Sequence, residues 1–367
     1  MSEEENSQDQ NSELEQKDTF SAKCPSCGAE MVYAPDIKKL KCPFCDTTKD
    51  IDLTKYAEEI DFAMLLKNNN EWAKDTCVYQ CKNCGVKEVV SRKSIATKCS
   101  FCGTPNVVLT DELSGLKPNA VVPFQITKAV AIENVKTWGK KKILAPKAFK
   151  QSITPEDTAG IYNPAFTFDS DTMSPYRGQL GKYYTTTRRV NGKTITETKI
   201  KYFNISGNYK CRFDDILIEA SDNINQQSIN AMSPFNTNSS QKYNESFLLG
   251  FSANQYTKEG DVCWKEARQF IDKKVREKIL LQYTYDVVAS LYINTSCSNI
   301  TYKYILLPIY VGHCTYKNKN YNFFVNGKNG KVTGKTPLSA LRVSVLVLLI
   351  LAFLALIIYL VYMFMVD

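Results

Sequence analysis

The chain has 367 residues, with 46 lysines and arginines against 38 acids, 13 cysteines and a single histidine. That length supports two or three domains around a sizeable core, and the absence of an opening apolar run argues against a secretory leader. One histidine leaves Ser-His or Cys-His catalysis a single candidate, and the net charge of +8 is too unevenly spread to mark a nucleic-acid reader by itself.

Residues 1–20 hold seven acids and one base and read as a disordered acidic tail. Residues 21–50 carry Cys24, Cys27, Cys42 and Cys45, two Cys-x-x-Cys pairs with fourteen residues between them. The same set recurs within residues 77–110 as Cys81, Cys84, Cys99 and Cys102, each shifted by 57 positions, and Gly28, Lys41, Phe44 and Thr47 repeat with them as Gly85, Lys98, Phe101 and Thr104. Each pair can form a knuckle whose amides point at sulfur, and two knuckles joined by a hairpin supply four thiolates in a closed tetrahedron. The expectation is two small four-cysteine zinc ribbons, each stapled by one structural Zn²⁺. An iron site of the rubredoxin kind competes through "CPSCG"; a catalytic zinc does not fit, because four thiolates leave no open position for water. Cys77 lies four residues before Cys81 and reads as a bystander rather than a spare ligand. The remaining cysteines, Cys211, Cys263, Cys297 and Cys314, read as ordinary buried thiols.

Residues 51–76 link the ribbons, with a short helix expected before Asn68-Asn69-Asn70. Residues 111–336 read as an α+β domain. A helix is expected from near Thr127 to Gly139, and a hairpin turns at Asn191-Gly192 between two Thr- and Tyr-rich runs. "NYKCRFDDILIEAS" supplies a further strand, and a helix near 260–283 shows the stripe Trp264, Ala267, Ile271, Val275, Ile279. Residues 301–334 form a meander. That order suits an antiparallel sheet with helices on one side.

From Val343 to Val366 come 24 residues without a charge. As a helix they extend about 36 Å, enough for a hydrocarbon core of about 30 Å. Residues 337–367 are therefore expected to be a transmembrane helix, making the chain a single-pass, tail-anchored membrane protein whose N-terminal bulk faces the cytosol. A reducing compartment favours metal over disulfides for the thirteen cysteines, and the five Asn-x-Ser/Thr sequons read as chance matches in a chain rich in Asn, Ser and Thr.

Charge is divided along the chain. Residues 21–110 have 13 bases and 11 acids, and two four-thiolate zinc sites would make them net negative. Residues 111–367 have 32 bases and 20 acids. Lys140, Lys141, Lys142, Lys147 and Lys150 form one cluster and Lys273, Lys274, Arg276 and Lys278 another; either suits an anionic lipid surface. Membrane-tethered nucleic-acid binding through the second ribbon (Lys82, Lys87, Arg92, Lys93, Lys98) together with the basic domain is the less favoured alternative. No enzyme signature emerges. His313 and Cys314 would face opposite ways on a strand, as would Asp214 and Asp215. "GKVTGKT" (330–336) imitates a phosphate loop with one residue too few between its glycines.

The ordered strings "CPSCG…CPFC", "CKNCG…CSFCGT", "GIYNPAFTFD", "FDDILIEAS", "YNESFLLGFSANQY" and "YNFFVNGKNGKVTGKTP" resemble the membrane-anchored TFIIB-type zinc-ribbon proteins. The resemblance implies a double ribbon, an α+β domain, hydrophobic C-terminal segments and metal ligation at the eight cysteines. It implies no reaction, and a protein-interaction role for the ribbons is the resulting expectation. Asp46 stands where the second knuckle of the first ribbon usually has glycine; aspartate tolerates the left-handed conformation better than most residues.

Overall fold

Short apolar–polar alternations around tight turns open the fold. In this computed structural model, which describes residues 22–65, 76–91, 99–101, 104, 107–110, 116–151, 158–190, 193–317 and 319–366, the first cysteine unit is a three-stranded sheet. Its strands are β1 (Val32–Ala34), β2 (Lys39–Lys41) and β3 (Thr48–Lys49). Tyr33 and Leu40 stand opposite each other and turn inward. The unit does not hang free. Tyr33 donates its amide to Leu249 O at 2.9 Å and its hydroxyl to Phe124 O at 3.0 Å, and its ring meets Phe247 edge-on at 5.5 Å.

The linker enters a second, larger sheet. Its described part contains β4 (Ile60–Asp61) and a single 3-10 turn at Phe62–Met64 instead of the expected short α-helix. The chain is held extended there because β4 pairs with a strand of the main sheet. The second cysteine unit supplies β5 (Thr76–Cys81), β6 (Lys87–Ser91) and β7 (Val107–Thr110). Then follow β8 (Ala120–Val121), α1 (Lys128–Lys141, capped by the Thr127 hydroxyl) and α2 (Lys147–Gln151).

The spine is β9 (Thr158–Val190), returning as β10 (Lys193–Glu219). The expected hairpin thus extends to 33 and 27 residues, and "FDDILIE" is the continuation of β10 instead of a separate strand. Its residues are strand formers throughout; Asn191 and Gly192, the expected turn, lie outside the described residues. After α3 (Gln226–Met232), β11 (Gln241–Lys242) and β12 (Ser252–Asn254) comes α4 (Gly260–Leu280), then β13 (Val287–Ile293), β14 (Ser296–Tyr316), β15 (Lys319–Asn326), β16 (Val332–Gly334) and α5 (Ala340–Val366). β14 pairs with β9 along Thr158–Met173, β13 with Tyr176–Gly181, and β10 runs along the other edge. The last strands form the expected meander.

Two expectations change here. The sheet is mixed, since β12 lies parallel to β9 and β8 parallel to β14. It is also covered on both faces. Tyr162, Phe166 and Phe168 of β9 pack with α1 and α4, while Ile161 and Ala165, pointing the other way, pack with α3 and the second cysteine unit. The second unit joins the same sheet through Val89 opposite Ala253, so strand pairing crosses the boundary placed near residue 110. The α4 stripe is headed by Cys263, with Trp264 half-buried against Phe62 and Phe168. Among the other thiols, Cys263 and Cys314 are buried but Cys211 and Cys297 only half so.

α5 contains a span, Ala340–Met363, long and apolar enough to cross a bilayer, with a mean hydropathy of 3.2 and no buried residue in its apolar window. It begins three residues before the charge-free run, because Arg342 is drawn back to the domain: its guanidinium donates to Ile143 O at 2.7 Å and Ala145 O at 2.8 Å.

Candidate metal centres and the polar clusters beside them

The first cysteine group is assembled by two knuckles of the same design. Gly28 N donates to Cys24 O at 2.9 Å and Asp46 N to Cys42 O at 3.1 Å, with positive φ at both turn residues, 74° and 60°. Asp46 accepts the left-handed conformation that glycine occupies in the first knuckle, and its carboxylate pairs with Lys41 at 2.9 Å. The four Sγ atoms lie within 4.8 Å of one another. Cys24 and Cys45 are 3.4 Å apart and Cys27 and Cys42 3.5 Å, close to the roughly 3.8 Å edge of a tetrahedron with 2.3 Å metal–sulfur bonds. Cys24 and Cys42 face inward, Cys27 and Cys45 outward.

The electrostatics make the same case for a divalent ion. Burial opposes ionisation of Cys24, yet the amides of Cys27 and Ser26 and the nearby thiols hold it at about 6. The Ala29 amide favours the Cys27 thiolate, but the thiols of Cys42 and Cys45 outweigh it and push Cys27 to about 12. Four crowded thiols cannot all ionise against one another; a dication among them removes that conflict. The donor set and its spacing therefore fit a metal held at Cys24, Cys27, Cys42 and Cys45.

In the second group Cys81, Cys84 and Cys99 converge, with 3.7 Å between the sulfurs of Cys84 and Cys99. Cys102, the expected fourth ligand, lies outside the described residues, as does the side chain of Cys77. The first knuckle bond recurs, Gly85 N to Cys81 O at 2.9 Å, and Cys99 N donates to Thr104 O at 2.8 Å as Cys42 N does to Thr47 O at 2.9 Å. Glu88 was not expected here. It is buried, accepts the Ser100 amide and hydroxyl at 3.0 Å each, and comes within 3.8 Å of the Cys99 sulfur. Burial raises its pKa despite those donors. The 57-residue shift pairs Glu88 with Met31, a core residue of the first unit, so a carboxylate at an apolar repeat position was the legible signal.

Two further clusters depend on tertiary contact. Lys303 is buried between Glu59 at 2.5 Å and Asp215 at 2.8 Å, with Asp169 beside them and Arg212 3.5 Å from Asp169. The three carboxylates meet the distance requirement for a metal, but an ammonium already lies between two of them. Asp214 and Asp215 sit at a bulge where φ of Asp215 is 51°, and the Asp215 amide bonds Asp169 at 2.8 Å.

The second cluster is around Glu219, which is 1% exposed. One of its oxygens accepts from Ser221 N at 2.7 Å, Ser221 Oγ at 2.5 Å and Asn163 Nδ2 at 3.1 Å. Burial outweighs these donors and Lys258, and lifts the carboxyl to about 7. Because the folded pKa lies above the unfolded value near 4.5, the protonated form stabilises the fold at low pH, and that contribution is lost as pH rises from about 4.5 to 7. Glu219→Gln keeps the accepting oxygen and removes the ionisation. Its stability relative to wild type should increase by up to about 3 kcal/mol between pH 4 and pH 8 in paired denaturant titrations; parallel pH profiles would disprove the assignment.

His313 is half-buried in β14 with Cys314 on the opposite side. "GKVTGKT" contains β16, whose Val332–Gly334 pairs with Phe323–Val325, so the segment is strand and not a loop wrapped on a helix N-terminus. The two basic clusters separate. Lys140–Lys150 surround the loop from which α5 departs. The lysines of α4 lie at its other end, where Tyr283 bonds Tyr176 at 2.7 Å.

Together these features define a chain with two cysteine groups suited to metal, a large sheet-rich domain with helices, and one C-terminal helix long and apolar enough to cross a bilayer. No protein-family model and no solved structure matches it. The chain is similar to YdjG of Bacillus subtilis strain 168, a protein described as uncharacterized, with 27% identity over 331 residues covering 89% of this chain and 92% of that protein.

Proposed function

We propose that the chain is a non-enzymatic, tail-anchored membrane protein of the TFIIB-type zinc-ribbon kind, whose first ribbon presents a protein-contact surface on the cytosolic side. Zn²⁺ at Cys24, Cys27, Cys42 and Cys45, and a second ion at Cys81, Cys84, Cys99 and Cys102, hold the two ribbons. The observation that carries this reading is the unequal fate of one repeated residue. Phe101, in the knuckle of the second ribbon, is 4% exposed and packs against Phe324 at 6.3 Å; Phe44, its counterpart 57 residues earlier, is 80% exposed. The same knuckle is used inwardly once and left facing outward once, and an exposed phenylalanine on a metal-braced turn is a ready anchor for a partner pocket. The lysines around the root of α5 support contact of that end with an anionic leaflet.

Phe44→Asp tests the reading. At 80% exposure the substitution should change stability by no more than about 0.5 kcal/mol. It should nevertheless abolish cross-links from residues 22–50 to a discrete protein partner in isolated membranes, whereas Phe101→Ala should cost about 3 kcal/mol of stability. Cross-links that survive Phe44→Asp would overturn the proposal, as would a chain that remains in the membrane fraction after removal of residues 337–367.

A further inference from the structure

The long hairpin outruns the sheet that supports it. The last residue of β9 with a partner other than β10 is Gly181, opposite Val287. Beyond it, Lys182–Val190 and Lys193–Lys201 pair only with each other, a two-stranded ribbon projecting roughly 27 Å. Between Arg177 and Lys201 the sequence holds seven bases and one acid.

Register assigns the charges to faces. Lys182 stands opposite Lys201, Tyr184 opposite Lys199, and Arg188 opposite Ile195, so these side chains share one face. Arg188 and Lys199 are 65% and 53% exposed even while they flank Glu197, the one acid, at 2.7 and 3.6 Å. The reverse face carries Tyr183 with Ile200, Thr185 with Thr198 and Thr187 with Thr196. At the root, Asp286 N bonds Gly181 O, which brings the basic end of α4 to the base of the ribbon.

The geometry points to this arm as a binding element for double-stranded DNA. A two-stranded β-ribbon fits the roughly 12 Å major groove of B-form DNA. One face offers cations in register for phosphates, and the tyrosine and threonine hydroxyls offer further phosphate contacts. A bilayer is the poorer occupant. By sequence its turn, Val190-Asn191-Gly192-Lys193, offers a single apolar residue for insertion, and the lysines gathered at the root of α5 belong to another element, Lys140–Lys150. This inference rests on the hairpin and is independent of the ribbon cysteines and of Phe44.

The test uses the full-length chain in zwitterionic detergent, a labelled mixed-sequence DNA duplex, and a variant combining Lys182→Gln, Arg188→Gln, Lys199→Gln and Lys201→Gln. Four phosphate contacts give a log–log salt slope of about −3.6, so wild-type affinity should fall roughly 100-fold between 50 and 200 mM salt. The variant should lose most of that slope and of the low-salt affinity, with an unchanged unfolding transition because the substituted positions are exposed. Absence of duplex binding by wild type at 50 mM salt would overturn the inference. So would equal binding by the variant, or a preference for phosphatidylserine vesicles or polyglutamate over duplex.

Discussion

Cys42→Ser is expected to leave the purified full-length chain with one equivalent of zinc where the wild type is expected to hold two, and to make residues 22–50 cleavable while the β9–β14 sheet stays protected. Cys42 is fully buried, and the first unit has few other sources of stability: Met31, Tyr33 and Leu40 are its large buried side chains. A segment of that size does not hold a fold by apolar burial alone. In comparable small domains a structural zinc supplies on the order of 10 kcal/mol of apparent folding free energy. The loss should remain local, because the three strands of the unit pair only with one another and form a sheet separate from the large one, although its buried side chains share an apolar cluster with the central domain. Cys211→Ser, away from both groups, should retain both metals. Metal counting by mass spectrometry and limited proteolysis give the two readouts; two equivalents retained in Cys42→Ser, or iron in the wild type, would refute the assignment.

The second large effect is expected from Lys303→Met. The side chain of Lys303 is 5% exposed and is the cation bridging Glu59 from the linker and Asp215 from β10. Burial pulls the ammonium pKa down, but the hydrogen bonds it donates to both carboxylates raise it above its ordinary value. Removing it leaves the buried Asp169 and the partly buried Asp215 with Arg212 as the nearest cation among the described residues, a loss of about 3–5 kcal/mol, or roughly 10 °C in Tm for a domain of this size. The loss should shrink on acidification. Asp169 is already raised to about 6, chiefly by burial, so its protonated form contributes stability below about pH 4 that disappears as pH rises through 6. Thermal unfolding at pH 5 and pH 8 measures this. An equal deficit at both values would show that lost packing, and not stranded charge, is responsible.

These two sites differ in how far the sequence announces them. The cysteine groups are written in spacing: a knuckle is made by four consecutive residues, and its copy 57 positions later repeats the ligands with their turn glycine. Even Asp46 follows from local conformation. The Lys303 cluster has no such signature, because Glu59, Asp169, Asp215 and Lys303 are distant in sequence and meet only when the linker strand pairs with β14. Asp214 and Asp215 looked like opposed neighbours on a regular strand, and the bulge between Phe213 and Ile216 is what turns Asp215 toward Lys303. Glu88 is intermediate: the repeat exposes it as a carboxylate at a core position, but its bond to Ser100 requires the folded knuckle.

Elements with a local or periodic cause could be read directly from the residues: the paired cysteine knuckles, the α1 cap at Thr127, the stripe of α4, the closing meander and the 24-residue apolar helix. What those elements face was settled by the assembled fold. Phe44 and Phe101 are the same residue in the same motif, yet one is exposed and the other is sealed against Phe324. That two strands pair here was legible, but the length of the arm was not, since it depends on where β13 stops pairing with β9. Propensity and spacing act over a few residues, whereas burial and strand pairing join residues more than a hundred positions apart.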